Sequence, residues 1–277
     1  SPPIAAIRAA LRRAGVGGSL LLFGAGSAWL SFAYLPLLLR DRRPEEARAR
    51  AQRAIRGGFR FFLGTLRALR SVDFHPDAAQ AEEPLPEGSF VLVANHPTII
   101  DVIALTASHP QLVCAVKGKF FALPMLRPLL EAAGYLNSGA EGASDLEALI
   151  EQAVERLEEG CPVLVFAEGT RSPPGGLHAF RRAPFEIAAR AGVPIVPVVI
   201  HVEEPFMARG LPWYRFPDRF VRYHVERLPT LPSEAGRRAT RAARGAVEAS
   251  VRARLGLGVT ASAPRRPHPS IQPPEDP

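Results

Sequence analysis

The sequence predicts an α/β fold: a mixed, largely parallel sheet flanked by helices, entered through an N-terminal membrane-associated helical segment. Three observations carry this. Short continuous apolar runs recur through the middle of the chain, patterns of helical period lie between them, and one long stretch near the N-terminus has no charge at all. With 277 residues the chain can bury a sizeable core, and its 47% hydrophobic content is that of a globular protein. The sequence divides into residues 1–72 (membrane-associated helices), 73–261 (the α/β domain) and a disordered tail, 262–277, with six prolines in its sixteen residues.

From Ala14 to Leu39 the chain reads AGVGGSLLLFGAGSAWLSFAYLPLLL, longer than the ~20 apolar residues that span a bilayer. It exceeds the ~7–15 residues of a signal-peptide apolar core and stays apolar past the small residues near Ala28. Its five glycines and Pro36 leave both a single span and a re-entrant helix open. Arginines follow it densely (Arg40, Arg42, Arg43, Arg48, Arg50, Arg53, Arg56), so the positive-inside rule puts the α/β domain on the cytoplasmic face. In RGGFRFFLGTLRALRSV, Arg56, Arg60, Arg67 and Arg70 share one arc of a helix. Phe59, Phe62, Leu66 and Leu69 fill the adjoining arc, and Leu63 falls among the arginines. A basic stripe beside an apolar one suits an anionic lipid surface.

The runs Phe90–Ala94, Leu112–Val116, Val163–Phe166 and Ile195–Ile200 read as strands covered on both faces, and RFVRYHVERL, Arg219–Leu228, as a strand with one face exposed. SDLEALIEQAVERLEEG reads as a helix with a Ser144–Glu147 capping box and a stop at Gly160. No internal repeat is present. A formal net charge of +7 with a pI near 10.2 asks for an anionic partner. The arginines accompany lipid-type apolar faces rather than any nucleic-acid motif, so membrane lipids are the expected partner and nucleic acid is not. Cys114 and Cys161 lie in or beside apolar runs with no C-x-x-C spacing, which predicts reduced core thiols and no zinc site.

Two of the apolar runs end in polar clusters. VANHPTIIDVIAL, Val93–Leu105, puts His96 and Asp101 five residues apart where a strand stops; VFAEGTRS, Val165–Ser172, delivers Glu168, Gly169, Thr170 and Arg171. The plain reading of the first cluster is a capping box, Thr98-x-x-Asp101, opening a helix; it explains Thr98 and Asp101 and leaves His96 without a reason. If the two strands are parallel, both clusters leave the sheet on one edge, and a His–Asp pair meets an acid and an arginine able to fork onto a phosphate.

At these residues the chain resembles the glycerolipid acyltransferases, the family that includes 1-acylglycerol-3-phosphate acyltransferases. NHPTIID is similar to the family's N-H-x-x-x-x-D block, AVKGKFFALPMLRPLLEAAGYLN to its second region, FAEGTRS to F-P-E-G-T-R-S with Ala167 for the proline, and VPIVPVVI to its closing strand. The four blocks occur in family order over about residues 90–200. The resemblance implies a membrane-associated O-acyltransferase that moves an acyl chain from acyl-CoA or acyl-carrier protein to a lysophospholipid hydroxyl. It needs no cofactor and no metal. His96 is the expected general base, and Asp101 orients it and stabilises imidazolium. Glu168, Gly169, Thr170, Arg171 and Lys117 are expected on the acceptor, Arg171 through an anionic group. The nucleophile is then the acceptor's own hydroxyl, in keeping with the absence of a G-x-S-x-G elbow. One departure stands out: where relatives carry G-x-I-x-x-D-R, this chain has GYLNSGAEG, Gly134–Gly142, without an arginine, and Asn137 supplies a hydrogen bond but no charge. That keeps an acyltransferase for another lipid hydroxyl in view. A lipid-binding module without catalysis is the non-enzymatic alternative, against which the intact His96, Asp101, Glu168 and Arg171 argue.

Overall fold

The computed structural model describes residues 2–38, 44–74, 84–139, 143–204, 206–208 and 220–258. The tail 262–277, Arg40, Arg42 and Arg43 therefore lie outside the described residues. The elements run α1 (Pro2–Trp29), a π-helical turn (Leu30–Tyr34), α2 (Leu35–Leu38), α3 (Pro44–Ala68), β1 (Val72–Phe74), β2 (Val91–Ala94), α4 (Asp101–Ser108), β3 (Val113–Val116), α5 (Gly118–Phe121) and α6 (Arg127–Ala132). They continue with β4 (Leu136–Asn137), α7 (Ala143–Glu158), β5 (Val163–Phe166), α8 (Ala183–Ala191), β6 (Ile195–Val202), β7 (Val221–Arg227) and α9 (Arg237–Arg254).

The strands form one sheet in the order β1-β7-β6-β2-β5-β3-β4, parallel throughout except where β6 meets β7. All five expected strands are present. The four runs of continuous apolar residues occupy the sheet interior, where helices cover both faces; β2 and β5 are buried at every position. In β7, Val221, Tyr223 and Val225 are buried while Arg222 and His224 are exposed, as its alternation requires. Two apolar layers result. One joins the sheet to α1, α3, α4 and α6 through residues such as Phe62, Leu66 and Leu105. The other joins its opposite face to α7, α8 and α9 through Leu149, Ile187 and Val247. Cys114 and Cys161 are buried free thiols, and burial pushes the Cys114 thiol up.

Local signals were followed with two exceptions. Gly160 ends α7 with φ +84°, accepting the left-handed turn that a side chain would resist. The capping box does not form, because α7 starts at Ala143, placing Ser144 inside the first turn, and Glu147 is drawn instead to Arg190 of α8. The second exception is the arginine-striped helix. In α3, Phe62 and Leu66 are 3% and 1% exposed, buried by protein, and so is Leu63, which the helical wheel grouped with the arginines. The charges are engaged as well: Arg56 donates to the Ala107 carbonyl at 3.1 Å, Arg67 lies 3.8 Å from Asp73, and Arg70 covers the Phe220 ring at 5.6 Å. A helical period tells which residues share a face, not whether lipid or protein covers it. Here α1, α4, α6 and β1 pack on α3, and Phe61, 65% exposed, is left outward.

The uncharged stretch is helical, and Arg13–Leu37 is long and apolar enough to cross a membrane by length and composition. It is not detached from the body. Gly15 sits against Leu69, where a Cβ would come within 2.8 Å of that side chain; Phe23 packs on Phe59 and Phe62; and the Ser31 hydroxyl donates to the Met125 carbonyl at 2.5 Å. Its outer face carries Leu21, Leu22, Trp29, Phe32 and Leu37, all more than half exposed.

The burial of α3 gives a direct forecast. Leu66→Ala is expected to destabilise by about 2–5 kcal/mol, the cost of a cavity in a packed core. Phe61→Ser should leave stability within about 0.5 kcal/mol. Urea titrations of the two variants check this, and equal, small losses would contradict the packing described for α3.

Candidate active site

Strands β2 and β5 are parallel neighbours with Ala94 opposite Phe166, so the segments that follow them leave the sheet side by side. The two polar clusters therefore meet. The His96 backbone N–H donates to Glu168 Oε1 at 3.1 Å, the Ser172 N–H donates to the His96 carbonyl at 2.7 Å, and the His96 ring stacks on Phe166 with centroids 3.9 Å apart and planes at 16°.

The centre of the site is the Asp101 carboxylate, fully buried at the first residue of α4. Its Oδ2 accepts from His96 Nδ1 at 2.8 Å and from the Thr98 N–H at 2.8 Å, while Oδ1 accepts from the Tyr223 hydroxyl at 2.9 Å and from the Thr98 hydroxyl. Four donors and a helix N-terminus compensate the burial of this charge. Half of the capping box is present, the contact from Asp101 back to the Thr98 N–H. The Thr98 hydroxyl points to the carboxylate rather than to a helix amide, and α4 has no side-chain cap. Asp101 thus both starts the helix and holds the histidine. Since an ionised carboxylate only accepts, Nδ1 carries a proton, and in the neutral ring the free lone pair is on Nε2.

Tyr223 had no signal in the sequence beyond facing inward in an alternating strand. Its hydroxyl reaches Asp101 across the sheet because β7 lies two strands from β2 in the sheet order. Burial first, and then the Asp101 charge, push its pKa up, so it stays a donor.

Glu168 occupies a different position from the one its motif suggests. It is 1% exposed, and its carboxylate is spent on protein: the His96 N–H, the Ser172 hydroxyl and the His178 N–H at 2.8 Å. It braces the two strand ends together and does not line the cavity described next. Gly169, with φ +67°, turns the chain back, and a Cβ there would meet Arg181 at 2.8 Å. Arg171 is half-buried and donates to the Met207 carbonyl at 2.9 Å; Met207 itself has φ +48°, a strained value for a residue with a side chain.

His96, Gly169, Thr170, Arg171 and Lys117 all line one cavity of about 1750 Å³. Apolar residues of its wall include Leu20, Phe23, Leu30, Phe59, Phe62 and Ile103 from the N-terminal helices and α4, and Leu146, Leu177 and Phe180 from the opposite layer. The wall also carries Lys119, Arg181, Arg182, Arg244 and Arg252 beside Lys117 and Arg171, with Asp145 and Glu248 as its acids. Asn137 is not in that wall. Its side-chain oxygen accepts the Gly139 N–H at 3.0 Å, closing its own turn. It therefore does not stand in for the arginine missing from this region.

The four-donor arrangement sets distinct expectations for two substitutions. Tyr223→Phe removes one donor and leaves three, and should lower stability by about 1–2 kcal/mol. Asp101→Asn should cost about 2–4 kcal/mol, since an amide cannot accept from four donors. Melting temperatures measured side by side test the ranking; a larger loss for Tyr223→Phe would refute it.

The geometry can be set beside known proteins. Residues 78–201 match the family model described as Acyltransferase. A 1-acyl-sn-glycerol-3-phosphate acyltransferase of Chlamydomonas reinhardtii is 30% identical over 182 residues, 65% of this chain and 54% of that protein. One of Pseudomonas aeruginosa is 26% identical over 72% of this chain and 74% of its own length. The chain spans about half the length of the first plant and algal relatives it matches. Among solved structures, the 1-acyl-sn-glycerophosphate acyltransferase PlsC of Thermotoga maritima shares the fold, with a TM-score of 0.60 at 20% identity over 85% of this chain and 94% of that one. With the motif blocks in order along this sheet, the chain is similar to the glycerolipid acyltransferases in its matched region and shares their fold.

Proposed function

We propose that this protein transfers a fatty acyl group from a thioester donor, acyl-CoA or acyl-carrier protein, to the hydroxyl of a lysophospholipid such as 1-acylglycerol-3-phosphate. One observation carries the reading. The histidine held on a buried carboxylate lines a cavity whose wall combines apolar side chains with more cationic than acidic ones. Such a cavity suits an acyl chain and an anionic head group at once. In this reading Nε2 of His96 takes the proton of the acceptor hydroxyl as its oxygen attacks the thioester carbonyl. The imidazolium, stabilised by Asp101, then returns that proton to the departing sulfur. The C–O bond forms, the C–S bond breaks, and the products are an ester and a free thiol. Arg171 binds the acceptor's anionic group, aided by Lys117, and Gly169 and Thr170 shape the wall beside it. Glu168 acts through His96 as a positioning residue. The chemistry requires neither a metal nor an organic cofactor.

The exposed apolar face of α1 and Phe61 supports attachment to a membrane, with the α/β body on the cytoplasmic side as the arginines after the segment imply. A second reading keeps the reaction and changes the acceptor to another lipid hydroxyl. It is favoured by the turn at Asn137, which leaves residues 134–139 with no charge toward a phosphate.

His96→Ala should lower thiol release from acyl donor plus 1-acylglycerol-3-phosphate by roughly 10²–10⁴. Asp101→Asn should approach that loss once its lower stability is allowed for. Arg171→Lys should raise the acceptor's KM and leave donor KM alone, because lysine cannot form the two-pronged contact. Inertness of the wild type toward 1-acylglycerol-3-phosphate, with turnover of another lipid alcohol, would shift the assignment to the second reading. Undiminished turnover by His96→Ala would end both.

A further inference from the structure

Helix α9 carries six arginines and one glutamate, a net +5 in a chain whose formal total is +7. Its first turn contains no acid, so Arg237 and Arg238 sit at the positive end of the helix dipole, where cations are disfavoured. Among the described residues Arg237, Arg238, Arg241 and Arg244 make no ion pair, whereas Arg252 is held by Glu248 at 3.1 Å and Arg254 by Glu226 at 2.8 Å. Positions 237, 241, 244, 248 and 252 are spaced by three or four and share one face. Arg244, Glu248 and Arg252 of that face line the active-site cavity. Arg237 and Arg241 continue the row outward into solvent, over about 22 Å in all at 1.5 Å per residue.

An arginine row that leads out of the cavity with Arg237, Arg241 and Arg244 unpaired among the described residues, and Arg238 unpaired beside it, is arranged for an anionic partner. The apolar surface of α1 lies on the other side of the sheet, since α1 and α3 pack in one apolar layer and α9 in the opposite one. The row is thus turned to the soluble side. A nucleotide donor would place its phosphates against the cavity wall and leave Arg237, Arg238 and Arg241 without a role.

Resting on the acyl-transfer reading above, we propose that α9 is the docking surface for an acidic carrier protein that delivers the acyl group on a pantetheine arm. Arg244 and Arg182 in the cavity wall receive the phosphodiester at the root of the arm. Arg237, Arg238 and Arg241 meet the carrier's acidic surface. The thioester is then presented to His96 from the α9 side, and the acyl chain runs on toward the apolar wall.

The test compares wild type with R237E/R238E/R241E and with the milder R237Q/R238Q/R241Q, both full-length and in detergent, with melting temperature as the check on folding. Binding of a fluorescently labelled acyl-carrier protein is read by anisotropy, and kcat/KM is measured with acyl-carrier protein and with acyl-CoA as donors. Charge reversal should weaken carrier binding and its kcat/KM by roughly tenfold or more at low salt, with the glutamine variant between. The difference should shrink as salt screens the charges, and transfer from acyl-CoA should stay within about twofold. Unchanged carrier binding overturns the proposal. So does an equal loss with both donors, or reduced affinity for anionic vesicles with carrier binding intact. If the wild type transfers from neither donor, the acyl-transfer reading fails on its own, and the anisotropy still decides whether α9 docks the carrier.

Discussion

Everything in the site depends on a single buried carboxylate. Asp101 holds a full charge with no access to water, a state that survives only if every oxygen lone pair is answered. The answers come from the loop after β2, through His96 and Thr98, and from β7, through Tyr223. Forming the charge network therefore requires the sheet to be assembled, the loop to be wrapped and α4 to have begun. The same network that makes the carboxylate tolerable also holds the histidine ring, so fold stability and ring orientation are aspects of one arrangement. Glu168 repeats the device next door, answering the His96 amide and two groups of the segment 172–178. Two acids, neither exposed, fix one imidazole from both its ring and its backbone.

Much of this was legible in the sequence because it rests on short-range rules. Continuous apolar runs mark central parallel strands. A polar cluster directly after such a run marks the carboxyl edge of the sheet, where neighbouring parallel strands bring their followers together. His96, Asp101 and Arg171 could be assigned to one place on that ground. What could not be read was partner choice. The acidic residue of FAEGTRS looks like a ligand for substrate, but only the packed structure reveals that its oxygens are consumed by amides and a hydroxyl. Tyr223 is separated from Asp101 by 122 residues, and an alternating strand says which side it faces, not whom it meets. The α3 stripe failed for a related reason. Apolar and basic residues on one helix describe an interface without naming the other side, and here neighbouring helices took that position. The Ser144–Glu147 pair likewise matched a local motif but lost to a charged partner on another helix.

The cavity unites features that the sequence kept far apart. Its lining draws on the first helices, on the segments after the two strand ends and on the last helix. A site of this type joins two phases. In the proposed reading an acyl chain lies against the apolar residues while an anionic head group meets the cations of the same wall.

The carbonyl of Met207 deserves a final consequence. It accepts from Arg171 at 2.9 Å and takes the Ile99 N–H at 3.4 Å, from a residue held at φ +48°. The guanidinium that lines the cavity is thereby tethered to a strained residue lying outside the described helices and strands. A backbone adjustment there would act on the arginine and, through Ile99, on the loop between His96 and Asp101. One carbonyl thus ties a cation of the cavity wall to the loop that carries the His96–Asp101 pair, and neither can be repositioned alone.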